Sequence, residues 1–355
     1  MQTLKGLQKQ RMLTDWSLGR LSPLSDQSMQ GRASGDIKAS RSVGFLGVAT
    51  LPVTQEWTAV AHGDGVWVAV GGIYLSGWTN YAARSINGGR NWRRVTLPVS
   101  GTWTGVAYGN RVWVAVGGQS NGGIIRSTNQ GRSWTQTAAN GVYFSHVVFE
   151  NGVFMALSRF NANASVFISS DGFLTWTEVA LPAAINPIWA SLAYGAGTWL
   201  VSGYDGGTVN FYVARSTNNG ASWSSVLSVP ATNPPPYGVG QIAYGNGVFA
   251  FASDFYGLEA RFSTNAGVSF APATPPAAIG TAMAGAPDRL VAAGGTGFGG
   301  GLVTASSNRL TSTNGSTWTV SSGPIAIITP PNGLAYGNGK FAQIGFNSDK
   351  IVFFT

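Results

Sequence analysis

One phrase recurs along this chain and limits what it can fold into. It reads VAHGDGVWVAVGG from Val60, VAYGNRVWVAVGG from Val106, VVFENGVFMALSR from Val147 and LAYGAGTWLVSGY from Leu192. It continues as IAYGNGVFAFASD from Ile242 and LAYGNGKFAQIGF from Leu334, with a worn copy, MAGAPDRLVAAGG, from Met283. Each copy is a short apolar strand, a Gly/Asn turn that tolerates φ > 0, and a second strand. Seven copies spaced by roughly 40 to 50 residues match the length of one four-stranded propeller blade. A length of 355 residues would otherwise suggest two domains. A tandem array needs only one.

A second motif follows most copies. It appears as SINGGRNW (Ser85–Trp92), STNQGRSW (Ser127–Trp134), SSDGFLTW (Ser169–Trp176) and STNNGASW (Ser216–Trp223), with weaker forms STNAGVSF (Ser263–Phe270) and STNGSTW (Ser312–Trp318). The Asp or Asn side chain can fold back on the turn backbone, Gly can take a left-handed position, and the closing aromatic can pack beside the hairpin. The motif resembles the Asp box, Ser-x-Asp-x-Gly-x-Thr-Trp, of BNR-repeat and sialidase-like propellers. Asp171 alone keeps the acid; Asn87, Asn129, Asn218, Asn265 and Asn314 replace it. The resemblance spans residues 48–355 and implies an all-β, seven-bladed β-propeller with neutral, non-catalytic boxes. These boxes occur in enzymes, lectin-like modules and assembly factors alike, so the resemblance speaks to fold before function.

The last repeat ends at Ile351–Thr355, which supplies a third strand but no box and no fourth. Upstream, Val48-Ala49-Thr50-Leu51-Pro52 matches Val95-Thr96-Leu97-Pro98, and each stretch leads into a Trp, Trp57 or Trp103. Residues 47–51 are therefore expected as the outer strand of the last blade, closing the ring within a propeller domain of residues 44–355. Residues 1–43 lack the repeat. They carry seven cations against three acids and only scattered apolar side chains. Such an arm is too polar to form a core. It reads as an irregular, basic assembly anchor, with Leu4, Leu7, Leu13 and Trp16 filling grooves on other protein subunits.

The formal charge is +8, and half of it sits in that arm. The remainder is spread too thinly for a nucleic-acid footprint, which needs Lys and Arg gathered on one face. Arg90, Arg93 and Arg94 cluster locally and are expected on one outer strand edge, where charge discourages edge pairing. There is no cysteine, which excludes disulfides and thiolate metal sites. The first thirty residues hold no apolar run of signal-peptide length, and nothing reaches the ~20 residues of a membrane span. Synthesis and folding in a cytoplasm are expected.

The loops joining the second and third strands vary most between repeats, and variable loops carry recognition. They bring aromatics beside Asn and Asp, the pairing that sugars require: a ring under the apolar face and polar groups on the hydroxyls. Tyr74, Trp78, Tyr204, Asp205, Asp254 and Tyr256 are the candidates for a glycan face. The plainer alternative is that these rings pack the loops over the ring. A sialidase needs an arginine triad, a Tyr nucleophile with a Glu partner and an Asp acid. No motif supplies the first arginine, and Glu150 and Glu178 fall beside turns on the wrong face or edge. For a paired-carboxylate mechanism, with groups ~5–9.5 Å apart, only Asp205 and Asp254 offer a pair. His62 stands where Tyr108, Tyr194, Tyr244 and Tyr336 stand, and His146 aligns with Gly105; both read as structural. No cofactor, metal or catalytic residue is expected. In style the chain resembles a tail- or fibre-associated component of a tailed-phage virion, with a host-surface glycan as a further ligand. The rivals are a soluble lectin-like or assembly-factor propeller of the bacterial cytoplasm, and a degenerate sialidase-like glycosidase.

Overall fold

The computed structural model describes residues 45–72, 79–118, 123–137, 142–158, 164–182, 187–205, 210–230, 241–252, 260–274, 282–293, 308–322, 331–345 and 348–355. They form strands and turns, with no helix among them. The architecture is that of an all-β propeller.

The first described strand is β1 (Phe45–Gln55). Seven strands then form one sheet: β2 (Trp57–Gly63), β3 (Val66–Gly71), β4 (Thr79–Ser85), β5 (Arg93–Gly109), β6 (Val112–Gly118), β7 (Ile124–Ser127) and β8 (Thr135–Gln136). Three four-stranded sheets follow, in which each strand pairs with its sequence neighbour. They are β9 (Phe144–Glu150) to β12 (Thr177–Ala180), β13 (Pro187–Gly195) to β16 (Ser224–Pro230), and β17 (Gln241–Gly245) to β20 (Ala271–Ala273). Another holds β21 (Ala282–Ala286), β22 (Arg289–Ala293), β23 (Asn308–Ser312) and β24 (Thr319–Ser322). The last joins β25 (Pro331–Gly337), β26 (Lys340–Gly345) and β27 (Ser348–Phe354) to β1. Its register sets Val48 opposite Val352 and Ala49 opposite Ile351.

The sequence leads one to expect seven separate four-stranded blades; the structure has five four-stranded sheets and one of seven strands. The difference is β5, which runs through the expected break. Its first part pairs with β4, Arg93 opposite Arg84, and its second with β6, Val106 opposite Ala115. Leu97-Pro98 reads as a strand end. Instead Leu97 is buried and Pro98 points outward, where its missing N–H costs nothing.

Central strands are buried on both faces, so they read as continuous apolar runs; every residue of β3 is buried. The core lies between neighbouring sheets. Trp57, Trp67, Trp103, Trp113, Trp189 and Trp199 are its largest fully buried side chains. Leu51, Trp57, Trp67, Ile344 and Ile351 pack together where the last sheet meets the first repeat.

Candidate functional site

The Ser/Asn turns that join the third and fourth strands of the repeats are built by one hydrogen-bond scheme. In the second repeat Ser127 Oγ donates to Asn129 Oδ1 at 2.9 Å, and Ser133 N donates to the same oxygen at 3.0 Å. Gly131 N donates to Ser127 Oγ at 3.0 Å. In all but the shortened turn at Asn314, two consecutive left-handed residues follow the Asn or Asp, such as Gln130 (φ 61) with Gly131 (φ 74), or Gly172 (φ 74) with Phe173 (φ 63).

Asp171 keeps the scheme with a carboxylate. Its oxygens accept from Ser169 Oγ (2.8 Å), Leu174 N (3.0 Å), Thr175 N (3.1 Å) and Thr175 Oγ1 (2.7 Å). Although partial desolvation acts the other way, hydrogen bonds from Thr175, Ser169 and Leu174 bring its pKa down to about 2. At Asn129, Asn218 and Asn265 the hydroxyl reverses role: Asn129 Nδ2 donates to Ser133 Oγ at 2.8 Å, and Asn218 and Asn265 donate likewise to Ser222 and Ser269.

These turns also tie one repeat to the next. Arg126, just before Ser127, donates through Nε to Gly172 O at 3.0 Å and through Nη2 to Asp171 O at 3.3 Å. Arg215 donates to Ala266 O at 2.9 Å, and Arg84 to Gln130 O. Ile168 and Phe262 hold the same place in their repeats and lie against Gly220 and Gly315 of the following turns. At the seam Phe353 lies against Gly89 and Lys340 donates to Gly88 O. Sequence reasoning missed this role for the arginines. The recurring Arg-Ser dipeptide was the available signal.

A second set of ties surrounds a cavity of about 140 Å³ lined by the first strands of the repeats. Thr104 Oγ1 donates to Phe144 O at 2.7 Å, Ser145 Oγ to Trp189 O at 3.2 Å, and Thr58 Oγ1 to Trp103 O. Ser191 Oγ receives Ile242 N at 3.2 Å. The lining hydroxyls are thus engaged by the neighbouring repeat. His146 is the titratable side chain in this lining. Its Nδ1 accepts from Leu192 N at 3.4 Å, and burial lowers its pKa to about 4, so it is neutral at pH 7. His62 packs against Trp67 with ring centres 4.8 Å apart and planes tilted by 52°, as Tyr108 does against Trp113 at 4.9 Å and 48°, and so fills a structural slot. Its pKa is lowered first by burial and then by the Lys340 ammonium.

Arg309 is 5% exposed. It stacks 4.0 Å from the centre of the Phe354 ring and donates to Gln343 Oε1 at 3.3 Å, with burial lowering its pKa to about 10.

Of the sequence-derived glycan candidates, Tyr74, Trp78, Asp254 and Tyr256 lie outside the described residues. Tyr204 and Asp205 are described in backbone only, at the end of β14 (Thr198–Asp205), opposite Ile188 and Pro187. The anchor residues Leu4, Leu7, Leu13 and Trp16 also lie outside the described residues. Among the described residues no group of three or more His, Cys, Asp and Glu could hold a metal, and no helix is long and apolar enough to cross a membrane.

No family model and no curated protein matches the chain. Solved structures do. The chain is similar to YCF48 bound to a D1 peptide, with a TM-score of 0.63 at 13% identity, over 90% of this chain and 99% of that one. It is similar to a chain of the mitotic checkpoint complex, with a TM-score of 0.63 at 10% identity, over 94% and 98%. YjhT gives a TM-score of 0.53 at 12% identity, over 77% and 99%. At such identities the likeness is one of fold, a β-propeller.

Proposed function

We propose that this chain is a non-enzymatic interaction propeller, built into a tailed-phage virion as a tail- or fibre-associated component. The observation that carries the first half is where its polar chemistry goes. The hydroxyls around the central cavity, the Asp171 carboxylate and three strand-end arginines are engaged in holding turns and neighbouring repeats. Groups committed in this way stiffen a scaffold and are poorly placed to act as nucleophile or acid. Propellers of similar fold include one bound to a D1 peptide and one within a checkpoint complex, which favours a protein partner.

In this reading the seven-stranded sheet serves as two blades sharing β5, so the ring counts seven. The Ser/Asn turns are degenerate Asp boxes, residues 1–43 anchor the propeller to other subunits, and the variable loops meet a host-surface glycan. The virion assignment rests on resemblance in style, and a soluble lectin-like or assembly-factor propeller of a bacterium is its main rival. Size fractionation of the native source with mass-spectrometric detection separates them. The chain is expected in a particle fraction, and release of residues 1–43 should free it. Recovery solely as a free 36.9 kDa protein would overturn the virion reading.

A further inference from the structure

The repeats serve as internal controls for one another, and one junction departs from the rest. Arg126 faces Thr135 across β7 and β8, and the next turn carries Leu174. Arg215 faces Ser224 across β15 (Asn210–Ser216) and β16, and the next turn carries Val268. These two arginines reach the next turn with neutral company. Arg84 makes the same reach to Gln130 O, but it faces Arg93 across β4 and β5, and the next turn carries Arg132. Like charges directly opposite on a sheet destabilise it, and the sister junctions hold without them. Arg93 and Arg132 are exposed.

Among the described residues no carboxylate pairs with any of the three; the ion pairs found are Arg289–Asp288 and Lys350–Asp349. Asp64 accepts from Gln130 Nε2 at 3.4 Å. The Arg84 guanidinium has its pKa lowered by burial first, then by Arg132 and Arg93, so both neighbours act on the charge of Arg84. Arg90, on the turn that follows Arg84, adds its charge to that of Lys340 and lowers the Lys340 pKa after burial does.

We infer that the junction of Arg84, Arg93 and Arg132 is a binding site for clustered carboxylates, carried by an acidic segment of a protein partner. Guanidinium groups form paired hydrogen bonds with carboxylates, and a partner's charge would relieve the repulsion that the sheet carries alone. Ile86, 65% exposed on the adjoining turn, offers an apolar contact that a protein segment can use and a phosphate backbone cannot. The site is independent of the virion reading and of the loop face.

The test uses the full chain and a fluorescent Glu-rich peptide at low ionic strength, with a single-stranded DNA oligomer of equal length as the second probe. The peptide should bind, weaken as salt rises, and bind at least tenfold more weakly to the double variant Arg93→Thr, Arg132→Leu, which carries the sister repeats' residues. Lys350→Gln, away from the junction, should leave binding unchanged. The double variant should melt no lower than the parent; should it fail to fold, Arg93→Gln alone replaces it, with a loss of at least threefold expected. Peptide binding that is absent, or that survives the substitutions within twofold, overturns the site. DNA binding tighter than peptide binding, and lost in the same variant, overturns the assignment to an acidic protein.

Discussion

At the scale of single residues, the turns show how one geometry accepts different side chains. Asp171 and Asn129 each accept from the Ser hydroxyl two residues before and the backbone N–H four residues after, and differ in whether the second oxygen accepts or the nitrogen donates. Asp171→Asn should therefore change stability at pH 7 by under about 0.5 kcal/mol, because Asn keeps the turn's hydrogen bonds and a carboxylate this near solvent is well screened. With its pKa depressed to about 2, Asp171 contributes stability above the unfolded-state value near 3.8, and this is lost as pH falls towards 2. The Asn variant should lack that acid limb, which urea titrations at pH 7 and pH 2.5 would reveal. Phe173 poses a different balance. It holds φ 63 where the other turns place Gly, such as Gly131, yet it is fully buried and packs 6.3 Å from Phe154. Phe173→Gly would relieve roughly 1–2 kcal/mol of left-handed strain and open a cavity costing roughly 3–5 kcal/mol. Burial wins, and a net loss of about 2–3 kcal/mol is expected in chemical denaturation.

At the scale of elements, strands and turns were legible in the sequence because short apolar runs, broken by Gly and Asn, repeat from Val60 to Leu334. The run of β5 through Leu97 and Pro98 was not legible. A proline reads as an interruption, and the extension of the chain shows only in the ladders that β5 makes with β4 and β6 on either side of it. The arginine ties escaped notice for a related reason. Their acceptors are backbone carbonyls in the following repeat, and a carbonyl leaves no mark in sequence. The seam between β1 and β27 allows a direct comparison of truncations. Removing residues 1–43 spares β1 and should leave the melting temperature unchanged. Removing residues 1–52 takes away Leu51, 2% exposed, and the partner strand of Ile351 and Val352. It should cost several kcal/mol. Equal melting temperatures for the two would show that this seam contributes nothing.

At the scale of the whole molecule, the ring is held by two concentric sets of ties, arginines and apolar side chains at the Ser/Asn turns and hydroxyls around the cavity. His146 makes the inner set sensitive to acid. Its folded-state pKa of about 4 lies below the unfolded value near 6.5, so the unfolded chain takes up the proton first. Stability is full above pH 6.5 and falls between there and pH 4, by at most about 3 kcal/mol. His146→Gln should flatten that part of the pH profile, as followed by urea midpoints at pH 7 and pH 4.5. The antiparallel register of β1 and β27 sets Phe45 opposite Phe354, so the chain enters and leaves the ring at one point. Tension applied between the two ends would therefore load that ladder like a zip, parting its hydrogen bonds one at a time from Phe354 inward. A propeller hung from one end and pulled by the other would give way at its seam long before the remaining sheets felt the force.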